Sequence, residues 1–310
     1  MLDVRRLRLL VELSQRGTLS AVAEALSYSP SSVSQQLSQL EREAGVPLLV
    51  QAGRRVQLTP QAELLVSHAR AVLDRLEEAE ADVARSLTDV GGTVRIAVFQ
   101  SAAHAMVPQA LTLLRAEHPN LRVEVTEREP DAGLFEVAAR DFDLVIAEQY
   151  PGHTRAHRDD LDRVHLAADA IRLALPPHPT RLMPRGDPGA DAMRAVATGM
   201  PWVLEPKGTA SREWAEQLCR DAGFEPDVRF ESADLMAHIR LIRTGNAVGL
   251  LPDLVWAGEA PSVALVDLPG HPQREVFTST RLAAVARPAV VACRDALVRA
   301  SQATATPADG

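Results

Sequence analysis

Lysine is almost absent from this sequence: Lys207 stands alone beside 32 arginines, which marks it as a position to follow. Cysteine is nearly as scarce. Cys219 and Cys293 lie too far apart in sequence for a metal site and are too few for a disulfide framework. Both read as buried structural residues, with a redox switch as the lesser alternative. No apolar run approaches the length of a membrane span, and charges interrupt the apolar residues of the opening MLDVRRLRLLVEL. The expectation is a cytoplasmic protein with no membrane contact. P-loop, GxGxxG and GxSxG patterns are all missing, so no enzyme chemistry announces itself and no cofactor is expected. His153 and His157 sit in a loop-like stretch beside Pro151-Gly152 without a Cys or Glu at ligand spacing, so they read as solvent-exposed and no metal is expected. A formal net charge of −8 argues against a protein that coats nucleic acid non-specifically. Any DNA binding has to come from a local surface.

Such a surface is present in the first fifth of the chain. Residues 1–58 carry seven arginines against five acids, whereas residues 59–90 carry three against seven. The pattern predicts a first helix over 3–15, with Val4, Leu7, Leu10 and Val11 buried, Arg5, Arg6 and Arg8 outside, and Gly17 ending it. Thr18 to Gly45 then holds two short amphipathic segments. Val22, Ala23 and Leu26 line one side of the first. The second opens with Ser29 as N-cap and Pro30 at the first helical position, and Val33, Leu37, Leu40 and Ala44 recur at helical spacing. Ser31, Ser32, Ser34, Gln35 and Ser38 are left on the other side. Short hydroxyl and amide side chains can lie against phosphates and base edges, as the second helix of a helix-turn-helix does in the major groove. A plain surface helix with a serine-rich polar face is the lesser alternative when this stretch is taken alone.

The following residues favour the DNA reading. Leu48–Gln51 and Arg55–Leu58 read as two strands joined by Ala52-Gly53-Arg54, a hairpin that would bring Arg54 and Arg55 to the DNA backbone as a wing. From Gln61 to Leu87 there is no Gly or Pro, and Leu65, Ala69, Val72, Leu76, Ala79 and Val83 repeat at alternating steps of four and three. A helix of this length is about 40 Å long at 1.5 Å per residue. It is too long for burial in a small winged domain, and the seam predicts dimerisation.

Residues 1–87 resemble the DNA-binding region of the LysR-type transcriptional regulators. The resemblance is carried by Ala21, Ala23, Leu26, Ser29, Pro30, Val33, Ser34, Leu37, Leu40, Glu41, Gly45, Leu48, Arg54, Arg55, Leu58, Thr59 and Pro60. The chain departs from the family pattern at Leu49, Gln51 and Ala62, where Phe, Arg and Gly are usual. Gln51 removes one expected phosphate contact, which leaves more of the wing's binding to Arg54 and Arg55.

After Gly91-Gly92 the pattern changes to alternating strands and helices. Strands are expected at Thr93–Phe99, Leu121–Thr126 and Asp143–Ala147, with helices at Ala102–His118 and Gly133–Arg140. A second lobe begins near Leu166 and holds IRLALPP, PWVLEP, a helix Ala210–Ala222, VRFES, a helix Ala233–Thr244 and AVGLLP. The chain crosses back near Ala264–Leu268, and REVFTSTRL with a last helix Arg287–Ala300 rejoins the first lobe. The terminal ATATPADG is expected to be disordered. These two lobes resemble the periplasmic-binding-protein-like effector domain of the same family. The expected fold class is α + α/β: a winged helix-turn-helix (1–59), a linker and dimerisation helix (60–90), lobe 1 (91–165 and 267–305) and lobe 2 (166–266).

Ligands of open α/β sheets collect at the carboxyl ends of strands. Two helix N-termini follow buried strands, at Gln100-Ser101 and at Lys207-Gly208-Thr209, and their unpaired N–H groups would suit a carboxylate or other small anion. The family resemblance assigns effector contacts to these loops, so Gln100, Ser101, Lys207 and Thr209 are the first candidates. Arg128, Glu148 and Ser232 follow; Ser101 and Thr209 read equally as plain helix caps. The resemblance implies a regulator that binds an operator with an inverted repeat and responds to a small-molecule effector. It also implies a dimer that assembles further into a tetramer, and it leaves contact with RNA polymerase open. Two other classes stay in view: a solute-binding module, which leaves residues 1–87 unexplained, and an enzyme on an α/β scaffold.

Overall fold

The computed structural model describes residues 1–53, 55–152, 158–177, 193 and 199–305. His153 and His157 lie outside the described residues, as does Arg54. The N-terminal unit is built from α1 (Val4–Arg16), α2 (Leu19–Ala25), α3 (Pro30–Ala44), β1 (Leu49–Ala52), β2 (Arg55–Leu58) and α4 (Pro60–Arg85). The caps follow the sequence. Asp3, Thr18, Ser29 and Thr59 each accept a hydrogen bond from a first-turn N–H, and Gly17 and Gly45 end α1 and α3 with φ of 74° and 72°. The core joins Leu7, Leu10, Val22, Val33, Leu37, Leu40 and Leu48 to Ala62, Val66 and Ala69 of α4. Val4, expected inside, is exposed, while Leu9 and Leu13 are buried. The reason is that α1 packs against α4 as well as against α2 and α3, which widens its apolar face.

The remainder of the chain runs β3 (Gly92–Val98), α5 (Gln100–Ala105), α6 (Val107–Glu117), β4 (Leu121–Glu127), α7 (Pro130–Ala138), β5 (Leu144–Gln149), β6 (Val164–Leu175), β7 (Trp202–Leu204), α8 (Ala210–Asp221), β8 (Val228–Glu231), α9 (Leu235–Arg243), β9 (Gly249–Pro252), β10 (Ala264–Asp267), β11 (Gln273–Ser279) and α10 (Pro288–Ala305). One sheet runs β10-β6-β11-β5-β3-β4, with β9 also paired to β6. A smaller parallel pair, β7-β8, completes lobe 2.

Several boundaries differ from the sequence expectation. β6 crosses between the lobes as one uninterrupted strand, because no Gly or Pro breaks VHLAADAIRLAL. Its residues up to Ala170 pair with β11, and from Ile171 onward they pair with β9 and β10. The division therefore falls at 170/171 and not at 165/166. β10 still belongs to lobe 2, so the return crossing is the 268–272 segment. The helix expected over 102–118 is split at Met106, since Pro108 supplies no N–H for a continuous ladder. Residues 303–305 extend α10, and 306–310 lie outside the described residues.

Gly133 lets α7 lie close on the sheet: a Cβ there would sit 2.8 Å from Val145 Cγ2. Gly133→Ala is expected to lower stability by about 1–3 kcal/mol through overpacking, read as a shift in the urea midpoint. Adding Val145→Ala should return part of the loss.

Candidate nucleic-acid interface and interlobe cleft

The polar residues of α3 share one outer face. Ser31, Ser34 and Gln35 are exposed and Ser32 and Ser38 are half-buried, while Val33, Leu37 and Leu40 point into the core. The Ser29 hydroxyl accepts from the Ser32 N–H at 3.1 Å and lies 3.0 Å from the Ser31 hydroxyl, which fixes the helix start. At the other end, the Glu41 carboxylate accepts from the Leu48 and Leu49 N–H groups at 2.9 and 3.0 Å. The hairpin is thereby held at a set angle to α3. Gly53, with φ of 65°, lies between β1 and β2, and Arg55 begins β2.

The apolar seam of α4 divides in two. Leu65 and Ala69, expected at a dimer interface, serve this chain's own core, because the first turns of α4 pack on α1. Val72, Leu76, Ala79 and Val83 are exposed, and Leu64 and Leu87 extend the stripe at each end. Leu64 is 64% exposed and Val83 66%.

Another side of α4 is anchored to lobe 1 by charge. Arg281 donates to the Glu77 carboxylate at 2.7–3.1 Å and to the Val137 and Phe142 carbonyls. Arg140 binds Glu77 and, at 2.5 Å, Asp74. Opposite charges hold the Glu77 carboxyl below its ordinary range despite its burial. Arg140 takes φ of 65°, a left-handed conformation that ordinary side chains seldom adopt. Arg16 of α1 adds a contact to Asp141 at 2.6 Å.

The centre of the effector region is a buried charge cluster where β6 and β11 cross between the lobes. Arg274, 2% exposed, lies opposite Asp169 in register. It donates to Asp169, to Glu148 and, at 2.6 Å, to the Ser101 hydroxyl, and its guanidinium lies 5.0 Å from the Phe99 ring centre. Asp169 also accepts from the Leu254 N–H. Burial pushes the Glu148 carboxyl up to about 7, against the pull of Arg274. Next to the cluster, Tyr150, Ile171, Leu204, Glu205, Ser211, Trp214, Leu235 and His238 are among the residues lining a small, partly open cavity of about 20 Å³. Gln100 bridges the lobes. Its Nε2 donates to Asp234 at 3.2 Å and its Oε1 accepts from the Leu235 N–H at 2.8 Å, capping α9 from lobe 1.

Gln100, Ser101 and Glu148 are thus brought together at the lobe junction, and the other four effector candidates are not. Arg128 is directed to the far side of lobe 1, where it pairs with Glu136 and borders a groove shared with Arg16 and Asp141. Lys207 is exposed on the turn before α8 and does not line the cavity. Thr209 spends its hydroxyl on the α8 cap and the Pro206 carbonyl. Ser232 accepts from the Asp234 N–H through its hydroxyl, and its carbonyl is bonded to His238. The nearby cavity is lined mostly by apolar and aromatic side chains, with Glu205 as its one carboxylate among the described lining residues. Sequence reasoning missed Arg274, Asp169, Tyr150, Glu205, Trp214 and His238. A signal existed for one of them: Asp169 is a carboxylate set in the mostly apolar VHLAADAIRLAL, whereas Arg274 lies in the polar QREVFTS.

Because its folded-state pKa lies above the usual 4.5, Glu148 binds a proton more readily in the folded chain. Its contribution to stability is full below that value, falls as pH rises toward 7, and is flat above. The Tm of the native chain relative to Glu148→Gln should decline across this window. A constant difference would place the carboxylate in its ionised form throughout.

Residues 4–63 match the bacterial regulatory helix-turn-helix protein, lysR family, and residues 87–302 match the LysR substrate binding domain. The transcriptional dual regulator GltC of Bacillus subtilis (strain 168) is 27% identical over 263 residues, covering 84% of each chain. A full-length OxyR cysteine-to-aspartate variant from Pseudomonas aeruginosa shares the fold with a TM-score of 0.66 at 17% identity, over 96% of this chain and 95% of that one. Full-length CbnR complexed with its target DNA gives 0.53 at 19% identity, over 96% of this chain and 100% of that one. A DNA-reading domain and both lobes are covered by these matches, and the chain belongs to the LysR-type family of DNA-binding transcriptional regulators with an effector-binding domain, not to the enzymes.

Proposed function

We propose that two copies of this chain pair through the exposed stripe of α4 and read an inverted repeat, and that a small molecule in the interlobe cavity alters the spacing of their recognition helices. Ser31, Ser32, Ser34, Gln35 and Ser38 face the bases and nearby phosphates, and Arg54 and Arg55 hold the flanking backbone. The observation that carries this reading is that lobe 1 is tied at both ends: Gln100 fastens it to α9 of lobe 2, and Arg140 with Arg281 fastens it to α4. Parting the lobes releases one tie while the other passes the movement to the linker helix. Pairs of dimers joining into a tetramer would extend the same logic along the DNA. Operator binding implies a cytoplasmic protein; among the described residues, no helix is long and apolar enough to cross a membrane.

A redox switch has less support. Both thiols are buried, and burial pushes Cys219 and Cys293 up to about 12. Thiolate, the reactive form, is scarce at neutral pH for such groups.

Val72→Asp and Leu76→Asp should each convert dimer to monomer in sedimentation, with near-native circular dichroism and operator affinity reduced about tenfold or more. Retained dimers would remove the stripe from the interface. On DNA upstream of its own coding sequence, Arg54→Ala should weaken protection of all sequences alike, whereas Gln35→Ala should change which sequence is preferred. A uniform loss with Gln35→Ala would refute its base contact.

A further inference from the structure

We propose that the interlobe cavity receives the ammonium group of a small organic amine, held by Glu205 and His238 and flanked by Tyr150 and Trp214; this rests on the effector reading of the cleft given above. The unfilled polar groups that argue for it are both acceptors. Glu205, half-buried after β7, accepts a hydrogen bond from Ser211. Among the described residues, no Arg, Lys or His nitrogen reaches ion-pair distance of its carboxylate. Burial and the neighbouring charge of Glu129 push that carboxyl upward, a shift that a bound cation would oppose.

His238 supplies the second, independent observation. It is 2% exposed, lines the cavity, and bonds the Ser232 carbonyl through Nε2 at 2.8 Å. Nε2 therefore carries the hydrogen, and burial keeps the ring neutral. Nδ1 is left as a bare acceptor with no partner among the described residues. It requires a donor.

The surroundings select among donors. The Tyr150 and Trp214 rings lie 5.5 Å apart, tilted by 36°, and aromatic faces of this kind attract cations. An anion would meet Glu205 with little to compensate it, since Arg274 is already engaged by Glu148, Asp169 and Ser101. A hydroxyl brings one donor and no charge, while an ammonium brings three donors and a full positive charge. The cavity, at about 20 Å³, accommodates one water-sized group. The hydrocarbon body of an amine needs more room than this, so the cavity has to widen between Tyr150 and the lobe 2 residues that line it.

The test uses the full chain with butylammonium chloride, sodium butyrate and butanol, each at about 10 mM near pH 8, in thermal-shift and tryptophan-fluorescence titrations. Butylammonium alone should raise Tm. Its affinity should fall about tenfold or more in Glu205→Gln, whose side chain is isosteric, and should weaken in Trp214→Leu. Stabilisation by butyrate in its place, no response to any of the three, or a butylammonium response that Glu205→Gln retains would overturn the proposal. A parallel titration of upstream DNA separates the two readings. If butyrate binds and changes DNA affinity, the cleft remains an effector site and the amine is refuted. If butylammonium binds through Glu205 with DNA affinity unchanged, the amine stands and the effector reading falls.

Discussion

The placement of Arg274 between two buried carboxylates is the constraint on which the effector region depends. A guanidinium removed from water is costly, and its planar fork repays that cost only when acceptors surround it in fixed geometry. Asp169 on the neighbouring strand, Glu148 at the end of β5 and the Ser101 hydroxyl at the start of α5 provide those acceptors. Three elements of lobe 1 and the strand that continues into lobe 2 are thereby fixed at one point. Removing Arg274 would leave two buried carboxylates without their shared partner, a loss of about 3–5 kcal/mol for buried pairs. The crossing is rigid there, and movement between the lobes has to be taken up on the lobe 2 side.

Lobe 1 therefore acts as a stiff body with a contact at each end. On the DNA side, Arg140 and Arg281 grip the acidic flank of α4, and Arg16 reaches Asp141 from the helix-turn-helix. On the other side, the Gln100 amide caps α9. The contacts differ in kind. Arg281 and Glu77 are largely buried and their charges reinforce each other. The Gln100 bonds, one to the Asp234 carboxylate and one to the Leu235 N–H, are exposed or partly exposed, and net energies for such bonds are about 1 kcal/mol each. The weaker closure is the one on the side of the cavity.

The DNA-reading region was legible in the sequence because its signals are local. Ser29-Pro30, Gly45 and the spacing of Val33, Leu37 and Leu40 are settled within a few turns of one helix, and caps and periodicity act over that range. The same reasoning located the strands of both lobes and the Gln100-Ser101 helix start. It failed at the lobe boundary, where only the IRLAL half of β6 was read as a strand, and at the register of α4. Leu65 and Ala69 have the same apolar character as Val72 and Leu76, and only the position of α1 separates own core from outer stripe. Arg128 and Lys207 were misplaced for a related reason: a charge after a strand indicates an exposed end but not which side of the sheet it serves.

The sequence by itself determined the winged helix-turn-helix, the long linker helix, the two-lobed α/β plan and the family, since each follows from short-range pattern or from the order of motifs. The tertiary structure alone decided the character of the cleft. Arg274 meets Asp169 across 105 positions, and Gln100 meets Leu235 across 135. Glu205 and His238 come to one cavity from different elements of lobe 2. No local rule specifies which distant charges end as partners and which remain unneutralised, because that follows from strand pairing and burial. Beside the helix start at Gln100-Ser101 the folded chain sets a mainly apolar cavity in which Glu205 and His238 are placed together.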